Sequence, residues 1–461
     1  MQKVFYEVNQ FDQKCYDEFF LSEDLLMEQA AFSMCTFIQN KFSSHESVLI
    51  VAGSGNNGAD GIALARMLYS SYDVRLYLPY DAKSPLCKLQ LKRALALGIE
   101  CSTYVSKCDV IVDCLFGTGL NKELDDISKT IIDKLNRLDA YKIACDIPSG
   151  INKKGQILSK AFIADTTITM GALKTSLFSD LAKDYVGEIT VSNLGIQREC
   201  YEGSTSVFLL DEKDIRLPLR TKKNAHKGSF GHACIVIGEK EGAGILCADA
   251  CFSFGAGLVT TIREEKLSLP YHIMQKSKIP SNTTALALGM GLGKYGKDEL
   301  KKILNLNIKK VIDADMFYEE LLKDYLDEKL VLTPHPKEFV SLLKLTNLAN
   351  ISVKELQNNR IHYALLFSKT YPKTTLLLKG ANTLIVNDEH LLINTLGNVA
   401  LSKGGSGDVL SGLILALLAQ NYLPFEAAYV ASLAHSIASN NYSKNNYSLS
   451  PQDLINEVKC I

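Results

Sequence analysis

An α/β fold in two three-layer domains is predicted, on three observations. Each half of the 461-residue chain alternates short apolar runs with amphipathic stretches. A charged segment carrying Pro218 interrupts that alternation between Glu202 and Leu219. Glycine-rich or polar loops recur where the predicted strands end. Alternating strands and helices imply a parallel sheet covered on both faces. In such sheets ligands bind beyond the carboxyl ends of the strands. The length suits two domains, placed at residues 1–205 and 212–461.

In the first half, apolar runs predict strands over Ser47–Ala52, Asp73–Leu78, Val110–Asp113, Lys142–Asp146, Thr166–Met170 and Gly187–Val191. Amphipathic spacing predicts helices over Leu25–Lys41, Ala59–Ser70, Leu86–Leu97 and Ile127–Leu138. Asp211–Lys223 suits a linker or a surface strand. In the second half, strands are predicted over His232–Ile237, Leu258–Ile262, Ala285–Leu288, Lys310–Asp313, Leu330–Thr333, Thr374–Lys379 and Asn382–Val386. Val409–Leu418 is apolar throughout and reads as a buried helix. Asn440–Asn446 is polar and reads as a loop. The halves show no internal repeat.

Composition excludes several function classes. A net charge of −1 offers no electrostatic footprint for nucleic acid or an anionic membrane. No apolar run reaches the roughly 18 residues that span a bilayer. The opening residues lack a signal-peptide core. The 12 cysteines are scattered without Cys-x-x-Cys pairs, so neither a zinc site nor a disulfide framework is indicated. Small-molecule ligands, a reducing cytoplasmic setting and a homo-oligomer are the expectations.

The most informative run is Ser402–Gly412, a glycine turn entering the apolar helix. Gly404, Gly405 and Gly407 permit a tight turn and close ligand approach. The free N–H groups and positive dipole end of the following helix suit a phosphate or a developing oxyanion. Asp408, in the first turn, could accept a proton from an attacking hydroxyl. Five more loops at predicted strand ends have ligand-binding character: His226–Gly231, Gly289–Gly293, Asp313–Asp315, Thr333–Phe339 and Lys379–Thr383. Taken singly, Asp313 and Asp315 also suit a helix cap, His335 and Gly289–Gly293 a turn, and Lys379 a solvated strand end.

The first half carries its own set. Ser47–Ala52 runs into Gly53-Ser54-Gly55-Asn56-Asn57-Gly58-Ala59-Asp60-Gly61 and then a helix, which makes a phosphate cradle. No Gly-Lys-Ser/Thr follows, so it is not a Walker A loop. The Asn pair and Asp60 exceed what a dinucleotide fingerprint needs. Asp113 and Asp146 end apolar strands and should lie side by side. Asn, Asp and Ser oxygens can gather round a hard cation; capping is the alternative for each Asp.

From about Lys222 to Gln452 the residues resemble the ADP-dependent NAD(P)H-hydrate dehydratase family, a branch of the ribokinase-like fold. The Thr333–Phe339 and Gly404–Gly412 runs carry the resemblance. It implies that Lys379, Gly380, Ala381, Asn382, Thr383 and Gly407 contact ADP. It also implies that Ala243, Gly291, His335 and Asp408 contact the hydrated nicotinamide nucleotide, with Asp408 as general base. Magnesium is expected with phosphoryl transfer. Lys337 and Glu239 stand where that family has glycine.

From about Val8 to Ile196 the chain resembles the NAD(P)H-hydrate epimerase family, with a Rossmann-like fold, on Leu26–Ala30 and Asn56–Gly61. Ala59 stands where that family has glycine. The resemblance implies a potassium ion on Asn57, Asp113 and Ser149. It implies substrate contacts from Asn56, Asn57, Gly58, Ala59 and Asp60, from Gly117, Thr118, Gly119, Leu120, Asn121, Lys122 and Glu123, and from Asp146. Asp146 is the candidate for proton transfer. Together the halves imply epimerisation of the R and S hydrates and ADP-dependent dehydration of the S form. Two rivals stay open. One is a ribokinase-like, ATP-using small-molecule kinase; the other is a non-catalytic binding module in the first half. The His335 and Lys379 loops favour dehydration. Asp113, Asp146 and the Asn pair favour an active first half.

Overall fold

A computed structural model describes residues 1–461. The chain forms two compact units, Lys3–Thr205 and Ser206–Ile461, the second also taking Met1–Gln2.

The first unit is built on a seven-stranded sheet, parallel throughout. Its order is Cys101–Ser102, Asp73–Tyr77, Ser47–Ala52, Val110–Cys114, Tyr141–Cys145, Thr166–Met170, Glu188–Ser192. From Ser47–Ala52 the chain builds outward one way, then returns to lay Val110–Cys114 on the other side. Those two strands therefore flank a topological switch point, where a crevice opens at their carboxyl ends. Alternation sorts the core. Val48, Ile50 and Ala52 pack with Met34, Ile38 and Ile62, while Leu49 and Val51 pack with Ile131, Ile132 and Leu135. The helices have local reasons to start where they do. The Ser22 hydroxyl accepts from the Leu25 amide ahead of Glu23–Lys41. Ser84 caps Pro85–Ala96, with proline at the first position, and Asp125 caps Asp126–Arg137. The crevice helix, Asn56–Leu68, begins three residues earlier than the sequence predicts, because Asn56, Asn57 and Gly58 are its first turn rather than loop.

In the second unit the parallel order is Met274–Lys276, Leu258–Ile262, His232–Val236, Ala285–Leu288, Lys309–Ile312, Leu330–Leu332, Thr375–Leu378. A hairpin of Thr383–Asn387 and His390–Asn394 continues it antiparallel, and Val207–Leu209 adds parallel to the last strand. Val207–Leu209, His390–Asn394 and Met274–Lys276 are strands the apolar pattern did not predict. Helix Ser406–Ala419 is the centre of the core. Its residues from Val409 to Ala419 are all buried, as an all-round apolar helix must be. A side chain on Gly412 would put its Cβ 2.4 Å from the Cys247 carbonyl oxygen, so helix Glu241–Ser253 packs backbone to backbone there. Strand, helix and loop limits otherwise fall within a few residues of those predicted, as fraying ends do.

Candidate active sites

In the first unit, the crevice is walled by the loops after Ala52, Cys114 and Cys145. A Cβ on Gly58 would lie 1.9 Å from the Gly53 carbonyl oxygen, so the loop closes onto its helix only with glycine there. Ala59 is fully buried one residue on, at an ordinary helical position, and its methyl is accommodated. Asn56 donates from its amide nitrogen to Glu23, at 2.8 Å. The Asn57 amide nitrogen is buried without a hydrogen-bond partner, and its side-chain oxygen lies against Gly117.

Asp113 is buried on the next strand. It accepts from the Leu115 amide at 3.1 Å, the Ser149 amide at 2.8 Å and the Ser149 hydroxyl at 2.7 Å. Ser149 in turn accepts from the Phe116 amide, at 2.8 Å. Burial pushes the Asp113 carboxyl up to about 6, against the hydrogen bonds from Ser149 and Leu115. No lysine or arginine pairs with it. Asn57 and Ser149 both abut the Phe116–Gly117 segment, so carboxylate, hydroxyl and amide oxygens gather in one buried patch. That donor set fits a hard cation.

Asp146 stands beside Asp113 at the sheet edge but has different partners. It takes φ +68°, a turn conformation that re-aims its side chain. Its carboxylate accepts from the Lys174 ammonium at 2.5 Å and the Met170 amide at 3.1 Å. Lys174 is 4% exposed and also donates to Thr169 at 2.8 Å and the Met170 carbonyl at 2.9 Å. A cleft of about 210 Å³ opens here, lined by Tyr6, Asn9, Thr118, Gly119, Asn121 and Lys174. Asp60 is raised well above the usual carboxylate range by burial, with Asp146 and Asp12 adding repulsion. Asp12 is pushed up to about 6 by burial, although Lys174 pulls the other way. Of the loop Gly117–Glu123, Thr118, Gly119 and Asn121 line this cleft, while Lys122 and Glu123 are exposed.

In the second unit, four strand-end loops converge. Asp313, following Lys309–Ile312, is 2% exposed. One carboxylate oxygen accepts from the Lys379 ammonium at 2.9 Å and the Ala314 amide at 2.9 Å. The other accepts from the Ser411 hydroxyl, at 2.7 Å. Gly405 caps helix Ser406–Ala419 at φ +91°, the left-handed region that favours glycine. Gly407 faces Lys379, since a Cβ there would lie 3.4 Å from the ammonium nitrogen. Burial works against the charge of Lys379, but Asp313, Glu338 and Asp408 more than offset it and hold its pKa above that of an ordinary lysine. Asp408 is pushed up to about 6, by burial first and then by Asp313, with Lys379 opposing. A half-buried carboxyl that titrates near neutrality beside a fixed ammonium can take a proton.

His335 caps helix Pro336–Leu345. Its Nδ1 accepts from the Lys337 and Glu338 amides at 3.1 and 3.2 Å, and Glu338 accepts from the His335 amide at 2.8 Å. Two donors on Nδ1 leave the proton on Nε2, the neutral tautomer. Burial and Lys379 lower the His335 pKa accordingly, and burial raises Glu338 to about 7. Ala243 and Gly291 adjoin: a Cβ on Gly291 would lie 3.3 Å from that of Ala243. The turn Gly380–Thr383 follows Lys379 as the hairpin connection, with Gly380 and Ala381 exposed.

One loop is corrected. His226–Gly231 precedes strand His232–Val236, so it lies at the amino end of the sheet and away from the convergent loops. A glycine-rich loop reads alike at either end of a strand. Four residues escaped sequence reasoning: Tyr6, Lys174, Arg360 and Ser411. Ser411 did carry a signal, as a polar residue one turn after Asp408 on an otherwise apolar helix. No three His, Cys, Asp or Glu side chains gather as a metal cage.

Comparison with known proteins agrees in both halves. Residues 233–459 match the family described as NAD(P)H-hydrate dehydratase. Residues 23–176 match the YjeF-related protein N-terminus. The chain is 46% identical to the bifunctional NAD(P)H-hydrate repair enzyme Nnr of Helicobacter pylori, over 100% of both chains. It is 33% identical to that of Dictyoglomus turgidum, over 94% of this chain and 92% of the relative. For Coxiella burnetii the figures are 31%, 91% and 90%. The ADP/ATP-dependent NAD(P)H-hydrate dehydratase structure from Bacillus subtilis aligns at 24% identity and TM-score 0.47, over 55% of this chain and 97% of that one. The chain belongs to the bifunctional NAD(P)H-hydrate repair enzyme family, with an epimerase unit and a dehydratase unit in one polypeptide.

Proposed function

We propose that the second unit dehydrates the S hydrate of NADH or NADPH at the expense of ADP, and that the first interconverts the R and S hydrates. The observation that carries the reading is the Asp313–Lys379 pair set beside Asp408 at a glycine-capped helix N-terminus. Hydroxide leaves the nicotinamide ring poorly. Asp408 takes the proton from the C6 hydroxyl as its oxygen attacks the β-phosphorus of ADP, and AMP departs. Loss of the C6 phosphate with a proton from C5 then restores the double bond. The Gly405–Gly407 amides and the Lys379 ammonium stabilise the phosphoryl group in flight. The turn Lys379–Thr383 receives ADP, and Ala243, Gly291 and His335 receive the nicotinamide nucleotide. Magnesium bound to the ADP phosphates would supply countercharge to them.

In the first unit, Asn57, Asp113 and Ser149 would hold potassium, whose fixed charge supports binding of an anionic nucleotide. Asn56–Asp60 and Gly117–Glu123 bind that nucleotide, and Asp146 moves the proton. Lys174 orients the Asp146 carboxylate through its contact at 2.5 Å. All twelve cysteines are unpaired, nine of them buried, which supports a reducing cytoplasmic setting.

The test is recovery of NADH absorbance from a mixture of both hydrate epimers, with ADP and magnesium. Full recovery is expected. A plateau at the share of one epimer would remove the epimerase role, and no recovery would remove the dehydratase role.

A further inference from the structure

We infer that Arg360 is a positioning residue for the nucleotide, holding the connection Lys379–Thr383 in the shape that receives ADP. Arg360 is the first residue of helix Arg360–Thr370 and is 5% exposed. Its guanidinium reaches the hairpin between Thr375–Leu378 and Thr383–Asn387. One terminal nitrogen donates to the Asn382 carbonyl at 2.9 Å. The other donates to the Leu378 carbonyl at 3.1 Å and the Lys379 carbonyl at 3.0 Å. Carbonyls on both limbs of the connection thus face one planar cation.

A guanidinium presents its donors in a rigid fork, whereas an ammonium is a point donor on a flexible stem. Only the fork can bridge both limbs and set their separation. Lys379 is then fixed at two places. Arg360 holds its carbonyl, and Asp313 holds its ammonium at 2.9 Å. The exposed residues of the connection, Gly380 and Ala381, are left to face solvent in a defined conformation.

The inference rests on the proposal that this connection meets ADP, and the experiment separates the two. The full-length chain carrying R360K is assayed for dehydration with ADP varied at saturating hydrate, then with hydrate varied at saturating ADP. The KM for ADP should rise by about tenfold or more, with the KM for hydrate and kcat within about threefold. A general structural defect would instead move all three together, and that result overturns the inference. A second variant, Ala381→Glu, places a carboxylate on the exposed connection. If A381E leaves the KM for ADP unchanged, the connection is not the ADP site. If A381E raises it and R360K does not, the site stands and the role of Arg360 falls. Should R360K fail to fold, amide hydrogen exchange of the unaltered protein decides. ADP should slow exchange in Lys379–Thr383 and in the first turn of Arg360–Thr370 together. Protection of the connection alone overturns the role of Arg360.

Discussion

Replacing Asp313 by Asn tests how the second centre is held together. Three donors converge on this one buried carboxylate: Lys379 and Ala314 on one oxygen, Ser411 on the other. Asparagine keeps the shape and one acceptor. Its oxygen can stay with Lys379 and Ala314 while its NH₂ turns to Ser411, whose hydroxyl can accept as well as donate. Hydrogen bonds are therefore largely retained, and what is lost is charge. Breaking a buried pair by neutralising one partner costs about 3–5 kcal/mol. The Lys379 side chain keeps 21% of its exposure, and Asp408 and Glu338 still attract it. Those two facts bring the expected loss to about 2–3 kcal/mol. In a unit of this size each kcal/mol lowers the melting temperature by roughly 2–4 °C, so a fall of about 4–12 °C is expected for the second unit. S411A keeps the pair and loses one hydrogen bond, which should cost about 1 kcal/mol. Calorimetry of both variants gives the ordering, with epimerase turnover as the control for the first unit. A melting temperature unchanged in D313N, or S411A as damaging as D313N, would refute the claim that the ion pair organises this centre.

Further outcomes follow from the same geometry. D408N should cost about 10²–10⁴ in dehydration while ADP still binds, as seen by calorimetric titration; unchanged turnover would end the base role. Because Asp408 must be unprotonated to act and titrates at about 6, dehydration kcat/KM should fall tenfold per pH unit below that value. The stability sign is opposite to that of a paired carboxylate: its pKa is raised on folding, so its contribution is lost as pH rises from about 4 through 6. In D313N the acid limb should move lower, since a repelling charge is gone and Lys379 is freed toward Asp408. D146A should abolish epimerisation, followed by the approach of pure R hydrate to the epimer mixture, and leave dehydration of the S form intact; K174M should do the same more weakly. Exchanging potassium for tetramethylammonium should slow epimerisation and spare dehydration, and equal loss of both would count against the Asn57–Asp113–Ser149 site.

What was legible in the sequence was local. Apolar runs that stop at Asp113, Asp146 and Asp313 mark strands and their carboxyl ends without knowledge of the fold. Glycine turns before apolar helices, as at Gly53–Gly58 and Gly404–Gly407, announce themselves in the same way. What was not legible depends on pairing across the chain. Lys174 lies on a two-residue strand, Leu173–Lys174, too short to show a period. Tyr6 reaches the cleft because Val4 and Phe5 pair with Leu173 and Lys174, a register no local pattern encodes. Arg360 looks like any charged residue at a helix start until the hairpin folds over it. His335 illustrates a subtler limit: its sequence setting suggested a ligand, and its imidazole nitrogen is used in a cap. The cap still leaves the ring 46% exposed at the site rim, so capping is compatible with the ligand contact proposed for it.

The two centres share an electrostatic plan that their different folds did not require. In the first unit the buried Lys174 pairs with Asp146 and acts on Asp12, and both carboxylates repel the buried Asp60. In the second, Asp313, Glu338 and Asp408 surround one lysine, Lys379. Each lysine is spoken for by a carboxylate, so neither site presents net positive charge to the anionic nucleotides assigned to it. Burial first, with neighbouring carboxylates adding to it, pushes Asp12 and Asp408 up to about 6 and Glu338 to about 7. A carboxyl held near 6 can exchange protons close to neutral pH, which the base role proposed for Asp408 requires. The cost is weak attraction for phosphate. Helix N-termini and glycine-loop amides can supply that attraction without adding a titrating base. Each unit places one beside its carboxylates, at Asn56 and at Ser406. In the proposed roles, backbone amides do most of the phosphate recognition, with Lys379 beside them in the second unit, and carboxyl side chains move the protons.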